Sequence, residues 1–258
     1  MHFTDTQVLA WVTSYLWVFV RIAALVTIAP VFSAGLVPVR VRVLLAVGLT
    51  VVVAPLAPQP PSVDPISLLG FLIIIQQFLI GLAMGFVIQI VFDAMVVGGQ
   101  TIAMSMGLGF ATMVDPQRGV NVPLVSQYFL VLSTLIFLSL NGHLVLVKAL
   151  VQSFHSLPVG QGGLGAQDLW SIVLWSGQMF MGGLKIALPA VIALMVVNLA
   201  FGVMSRAAPT LNLFAVGFPI TMTLGFIIMM LGLSSLAENL RGLLEQAFGV
   251  LGRALTGA

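Results

Sequence analysis

Few side chains in this sequence could work as acids, bases, nucleophiles or metal ligands. The histidines are His2, His143 and His155, and none has a partner at ligand spacing such as i, i+4, which would put two donors on one helix face. There is no cysteine, so disulfides, thiolate metal sites and cysteine nucleophiles are excluded. The acids nearest apolar stretches are Asp93 and Asp115, and neither sits beside a second carboxylate. No nucleophile–base–acid set can be read from the order of residues. The expectation is no catalytic residue, no metal, no cofactor and no enzyme.

Charges placed within apolar stretches carry the next possibility. Ionisable groups at membrane depth are costly and are functional candidates by default. Arg21, Asp93, Lys148 and Lys185 are such groups, and Arg206 stands at the turn between two apolar stretches. One reading makes Arg21, Asp93, Lys185 and Arg206 intersubunit or structural charges that hold helices together. The other lets them snorkel to the headgroups, as long stems readily do. Both readings stay open, and for Lys148 snorkelling is preferred.

Two further patterns concern packing. Gly81-Leu-Ala-Met-Gly85 places two glycines four apart, a groove that lets another helix approach closely, within the subunit or across an interface. Met104-Ser-Met-Gly-Leu-Gly-Phe-Ala-Thr-Met-Val-Asp-Pro-Gln-Arg-Gly119 combines Met104, Met106 and Met113 with Gly107, Gly109 and Gly119. Flexible thioethers can close around variable shapes, and glycines let the backbone bend tightly. Together they could form a deformable apolar seal across a pore. On composition alone, methionine as a core gap-filler is the plainer reading.

The elements that must position these residues are apolar helices. Of 258 residues, 60% are hydrophobic and 6% charged, against about 25% charged in soluble domains. Val43–Val63, Pro65–Phe92, Val120–Val147, Ile186–Ser205 and Ala207–Ala237 contain no Asp, Glu, Lys or Arg. Runs of about 18 or more apolar residues are candidate membrane spans. The fold class is therefore all-α integral membrane, with about six long apolar helices arranged as hairpins. The net charge of +2, with no large Lys/Arg cluster, gives no nucleic-acid footprint. Met1–Ala10 has Asp5 and no Lys or Arg, unlike a removable signal peptide.

Breaks are expected where Pro, Gly and charge coincide. Helices are predicted over Thr6–Phe32, Arg40–Ala54, Ile66 to Asp93 or beyond, Pro123–Phe154, Asp168–Arg206 and Leu211–Leu236. Glu238–Ala258 reads as a short amphipathic tail. Ala57–Pro65 holds four prolines and cannot be helical in its interior. A single helix over Asp168–Arg206 would be about 58 Å long, so a break or bend is expected at Gly182–Gly183 or Pro189. Arg40, Arg42, Arg118 and Arg206 lie in alternate loops from Asp64 and Asp168. The positive-inside rule then puts both termini outside the cytoplasm.

Several stretches stand out together: Gly107-Leu-Gly-Phe-Ala-Thr-Met-Val-Asp-Pro116, Asn141-Gly-His-Leu144, Phe154-His-Ser-Leu-Pro158, Asn198-Leu-Ala-Phe-Gly-Val-Met-Ser-Arg-Ala-Ala-Pro-Thr-Leu211 and Gly217-Phe-Pro219, with Pro38-Val-Arg-Val-Arg42 in the first loop. In them the sequence resembles the FliR-like family of type III secretion export-gate subunits. Their order and spacing extend the likeness over nearly the whole chain. The resemblance implies a helical assembly with FliP and FliQ around a channel for unfolded rod, hook and filament proteins. FlhB and FlhA belong to the same apparatus, in the bacterial inner membrane at the flagellar basal body. Export would be driven by the proton motive force and an associated ATPase. The Met/Gly segment would be a pore loop near 104–119, with Met104, Met106, Gly107, Gly109, Phe110 and Met113 in the seal. Residues 1–182 would be FliP-like, 183–237 a FliQ-like hairpin, and 238–258 the tail.

Two alternatives remain at this point. One is the homologous subunit of a virulence type III system. The other is a small-solute secondary transporter with broken helices, which should show inverted repeats and paired intramembrane charges that the sequence lacks.

Overall fold

The computed structural model describes residues 5–33, 35, 37–108, 124–207 and 213–256. Regular structure among them is entirely helical: α1 (Asp5–Ile28), α2 (Val39–Val53), a 3₁₀ turn (Ala54–Leu56), α3 (Leu68–Ser105), α4 (Leu124–Ser139), α5 (Gly142–Ser156), α6 (Ala166–Trp175), α7 (Gln178–Ala207), α8 (Leu213–Leu231) and α9 (Leu233–Thr256). Among the described residues three runs, Val39–Leu56, Leu68–Ser105 and Ala166–Ala207, are long and apolar enough to cross a membrane, and up to five if the bent pairs α4–α5 and α8–α9 each count as one span. The chain is an all-helical membrane protein.

Helix starts follow from local capping. Helix α3 begins at Leu68, two residues after the expected Ile66, because Ser67 ends the loop. Its hydroxyl donates to Asp64 O at 2.6 Å and accepts the Gly70 N–H at 3.0 Å, filling one of the donors that a helix start leaves unpaired. The Asp64 carboxylate accepts the Ile66 N–H at 2.9 Å. At α6 the Asp168 carboxylate reaches back to the Gly165 N–H at 2.9 Å. The proline-rich stretch between α2 and α3 is irregular apart from its first turn.

Three expected helices break elsewhere than predicted. The fourth, Pro123–Phe154, divides at Leu140–Asn141, where Asn141 adopts φ 56°. Asparagine tolerates that left-handed turn better than most residues. The fifth does not break at Gly182–Gly183 or Pro189, which all lie inside α7. It breaks at Ser176–Gly177. The Ser176 hydroxyl and N–H both turn back to Val173 O, at 2.6 and 3.1 Å, and Gly177 O then starts the next helix by accepting from Phe180 and Met181. A serine that bonds its own helix backbone competes with continuation of the ladder. The last apolar helix ends at Leu231. After Gly232 the chain bends by 58°, and α9 takes in both the end of that prediction and the whole tail through Thr256.

The chain forms two compact units. One comprises Met1–Gln89, Phe137–Ser176 and Gln246–Ala258. Helix α1 packs on α2 there, and Trp17, Ile22, Leu25, Ile80, Met84 and Phe154 are among its fully buried side chains. The other comprises Ile90–Ile136 and Gly177–Glu245, with α7 and α8 side by side.

Within the second unit, backbones approach through glycine. A β-carbon on Gly98 would lie 3.0 Å from Gly183 O, and one on Gly183 would lie 2.9 Å from Ala94 O. One on Gly99 would lie 2.8 Å from Ser126 Cα. The Ser126 hydroxyl donates across to Val96 O at 2.9 Å. Helix α7 accordingly buries Gly182, Gly183, Ala187, Ala190 and Leu194, while Met181, Leu188, Ile192, Met195 and Leu199 face outward. Small residues inward and large apolar residues outward is how helices pack when the surroundings are themselves apolar. This packing use of Gly182–Gly183 explains why the pair does not end the helix.

Candidate functional site

Arg21 is fully buried. Its guanidinium donates from Nε to Gln77 Oε1 at 2.9 Å, from Nη1 to Ser153 O at 2.7 Å and Ser153 Oγ at 3.0 Å, and from Nη2 to Leu157 O at 2.8 Å. Its Cζ lies 4.1 Å from the centre of the Phe154 ring, within cation–π range. All four acceptors are neutral. Two of them are carbonyls at the end of α5, where the helix dipole is negative; Leu157 O lies past the last turn, and Ser153 O also accepts the Leu157 N–H at 3.0 Å. One side chain on α1 therefore holds α3 and terminates α5.

The approach of α1 to α3 depends on Gly81 and Gly85. A β-carbon at 81 would collide with the backbone carbonyl of Arg21, and one at 85 would lie 3.1 Å from Ile28 Cγ2. Gln77, Gly81 and Gly85 recur every four residues, on one face of α3. Sequence reasoning marked Arg21, Gly81 and Gly85 as separate features, and the structure joins them. It missed Gln77, Ser153, Phe154 and Leu157. It also missed Trp175, whose indole N–H donates to Val87 O at 3.0 Å and ties α6 to the first part of α3.

The Met/Gly segment leaves the end of α3. Met104 is 63% exposed, beside Gln100, Thr101 and Ser105 along a polar strip. Met106 turns the other way and is fully buried. Its side chain fills the space above Gly225, where an added β-carbon would be 2.7 Å from the sulfur. Its carbonyl lies 3.4 Å from the Thr221 hydroxyl. Gly107 takes φ 82°, a left-handed turn that glycine adopts freely, with the Phe218 ring 3.3 Å from where a β-carbon would be. Gly109, Phe110 and Met113 lie outside the described residues. Asp93 is half-buried on α3, and Lys185 and Arg206 are exposed on α7. Among the described residues, no group of three or more His, Asp and Glu could hold a metal.

The comparisons with known proteins bear on this helical frame. The sequence profile of the family described as "Bacterial export proteins, family 1" matches residues 12–247. The chain belongs to that family. It is an export component and not an enzyme. It is 37% identical over 251 residues to the "Flagellar biosynthetic protein FliR" of Escherichia coli (strain K12), covering 97% of this chain and 96% of that one. The protein of the same description from Pectobacterium carotovorum subsp. carotovorum is 37% identical over 257 residues, covering 99% and 98%. That from Bacillus subtilis (strain 168) is 30% identical over 224 residues, covering 86% of each chain. In all three relatives the match covers 86% or more of each chain.

Proposed function

We propose that this chain is a subunit of the flagellar type III protein export gate, forming with FliP and FliQ the channel for unfolded rod, hook and filament proteins. FlhB and FlhA are its further partners, in the inner membrane at the basal body. The observation that carries the reading is the nearly full-length match to chains described as flagellar biosynthetic proteins. Geometry supports the subunit role. Helix α3 has 38 residues, about 57 Å of helix, against a hydrocarbon core of about 30 Å. Its Leu68–Phe92 part carries no charged residue, so lipid covers only part of that apolar length and other protein helices cover the rest.

In this reading the polar strip beside Met104 faces the channel, and the segment near 104–119 projects from it as the seal. The α7–α8 hairpin is the FliQ-like part within 183–237. Residues 1–182 are the FliP-like part, and 238–258 are the amphipathic tail.

The test is co-purification. Expressed from its native level, the tagged chain should bring down FliP and FliQ, and its deletion should abolish motility. A stable monomer that binds a small solute and leaves motility intact would overturn the reading. Loss of secretion of virulence effectors with motility preserved would move it to the virulence branch.

A further inference from the structure

Helix α5 and the last turns of α9 carry an unusual charge pattern. Over Gly142–Ser156 the one fully charged residue is Lys148, and over 246–256 it is Arg253; neither stretch has a carboxylate. Lys148, Gln152 and Ser156 recur at four-residue spacing and form a polar line on the exposed side of α5. They line one side of a groove of about 400 Å³ whose other wall is Phe248, Leu251 and Leu255 of α9. That volume falls in the range of about 300–1,000 Å³ found for small-molecule sites. The Ser156 hydroxyl meets only Gln152 O, at 3.3 Å, which leaves its oxygen able to accept.

We propose that this groove holds one anionic phospholipid. The Lys148 ammonium takes the phosphate, and Gln152 and Ser156 offer hydrogen bonds to the ester and glycerol oxygens. The acyl chain begins along Phe248 and the exposed Val145, over a floor of the buried Leu251 and Leu255. Among the described residues Lys148 forms no ion pair, so it is free to take an anion, and basic pockets between helices suit lipid headgroups. The apolar wall distinguishes this site from one for a free anion, which would gain nothing from leucine and phenylalanine. The inference rests on membrane association and not on the export role.

The full chain in neutral detergent, offered equal dioleoyl-phosphatidylglycerol and dioleoyl-phosphatidylcholine, should retain one phosphatidylglycerol by native mass spectrometry. The expected preference is about fivefold, the effect of one well-placed basic residue. Lys148→Gln should bring the ratio near one, Lys148→Arg should keep it, and Phe248→Ser should weaken both lipids. Circular dichroism of each variant reports whether the helices persist. The proposal is overturned by equal retention of the two lipids, by an unchanged ratio in Lys148→Gln, or by an equal loss in Arg40→Gln, a basic residue far along the sequence. Displacement of the lipid by millimolar inorganic phosphate would overturn it in favour of a free-anion site. Exclusion of lipid by a stably bound second protein in the groove would overturn it in favour of a protein interface.

Discussion

The backbone carbonyl of Arg21 occupies the place a β-carbon at Gly81 would need. Neither α1 nor α3 can give way, because the clash is between two main chains. Gly81→Ala should therefore lower the thermal unfolding midpoint in detergent, at a cost of about 3 kcal/mol, the upper end for overpacking. Gly48, on α2, has nothing within 4 Å of an added β-carbon. Gly48→Ala should raise stability by about 1 kcal/mol through helix propensity alone. Equal effects at the two sites would refute the close approach.

Removing the Arg21 guanidinium tests the same junction from the other side. Arg21→Met orphans Gln77 Oε1 and Leu157 O, at about 1–3 kcal/mol each, so a loss of about 2–6 kcal/mol is expected. Arg21→Lys should recover less than half of it, since one ammonium cannot reproduce a planar fork that reaches three residues. A double-mutant cycle with Gln77→Leu should show coupling of about 0.5–3 kcal/mol. Strict additivity would remove Gln77 from the network.

Val31 adopts φ 74° in the turn after α1. A β-branched residue is a poor occupant of that region, which costs an L-residue about 1–2 kcal/mol. Val31→Gly should raise the unfolding midpoint by the equivalent of about 1 kcal/mol, after its larger loss of chain entropy, while Val31→Ile should leave it unchanged. A fall in the Val31→Gly variant would argue that side-chain contacts outweigh the backbone term.

Topology is open to chemical labelling, helped by the absence of native cysteine. Arg40, Asp64 and Arg206 are all exposed. Single cysteines at 40 and 206 should react with an impermeant maleimide from the cytoplasmic side, and one at 64 from the opposite side. The reversed pattern would invert the orientation expected from the loop charges.

Apolar runs and proline clusters made the helix content and most helix ends legible in the sequence, because those features act locally. The break at Ser176–Gly177 was not legible. Serine is common in apolar helices, and only the geometry shows its hydroxyl taking Val173 O. Gly182–Gly183 misled for the opposite reason: glycine serves equally for a bend and for close approach, and its neighbours decide between them. Arg21 was visible as an oddity, but its acceptors are two main-chain carbonyls, an amide and a hydroxyl. Such partners lie 56 or more residues away and leave no charge pattern to search for. Among the residues assigned to the seal, the sequence treated Met104 and Met106 alike. Met106 is the first residue past α3, but its N–H still bonds Ile102 O at 2.9 Å, so the helical period carries it to the side opposite Met104.

The neighbouring glycines Gly98 and Gly99 constrain motion as well as distance. Consecutive residues on a helix point about 100° apart, and here one meets the backbone of α7 and the next the backbone of α4. Turning this part of α3 about its own axis would drive ordinary side chains into both contacts at once. The helix is locked in rotational phase, like a keyed shaft. Any movement within this unit must then carry the contacting parts of α3, α4 and α7 together as one block.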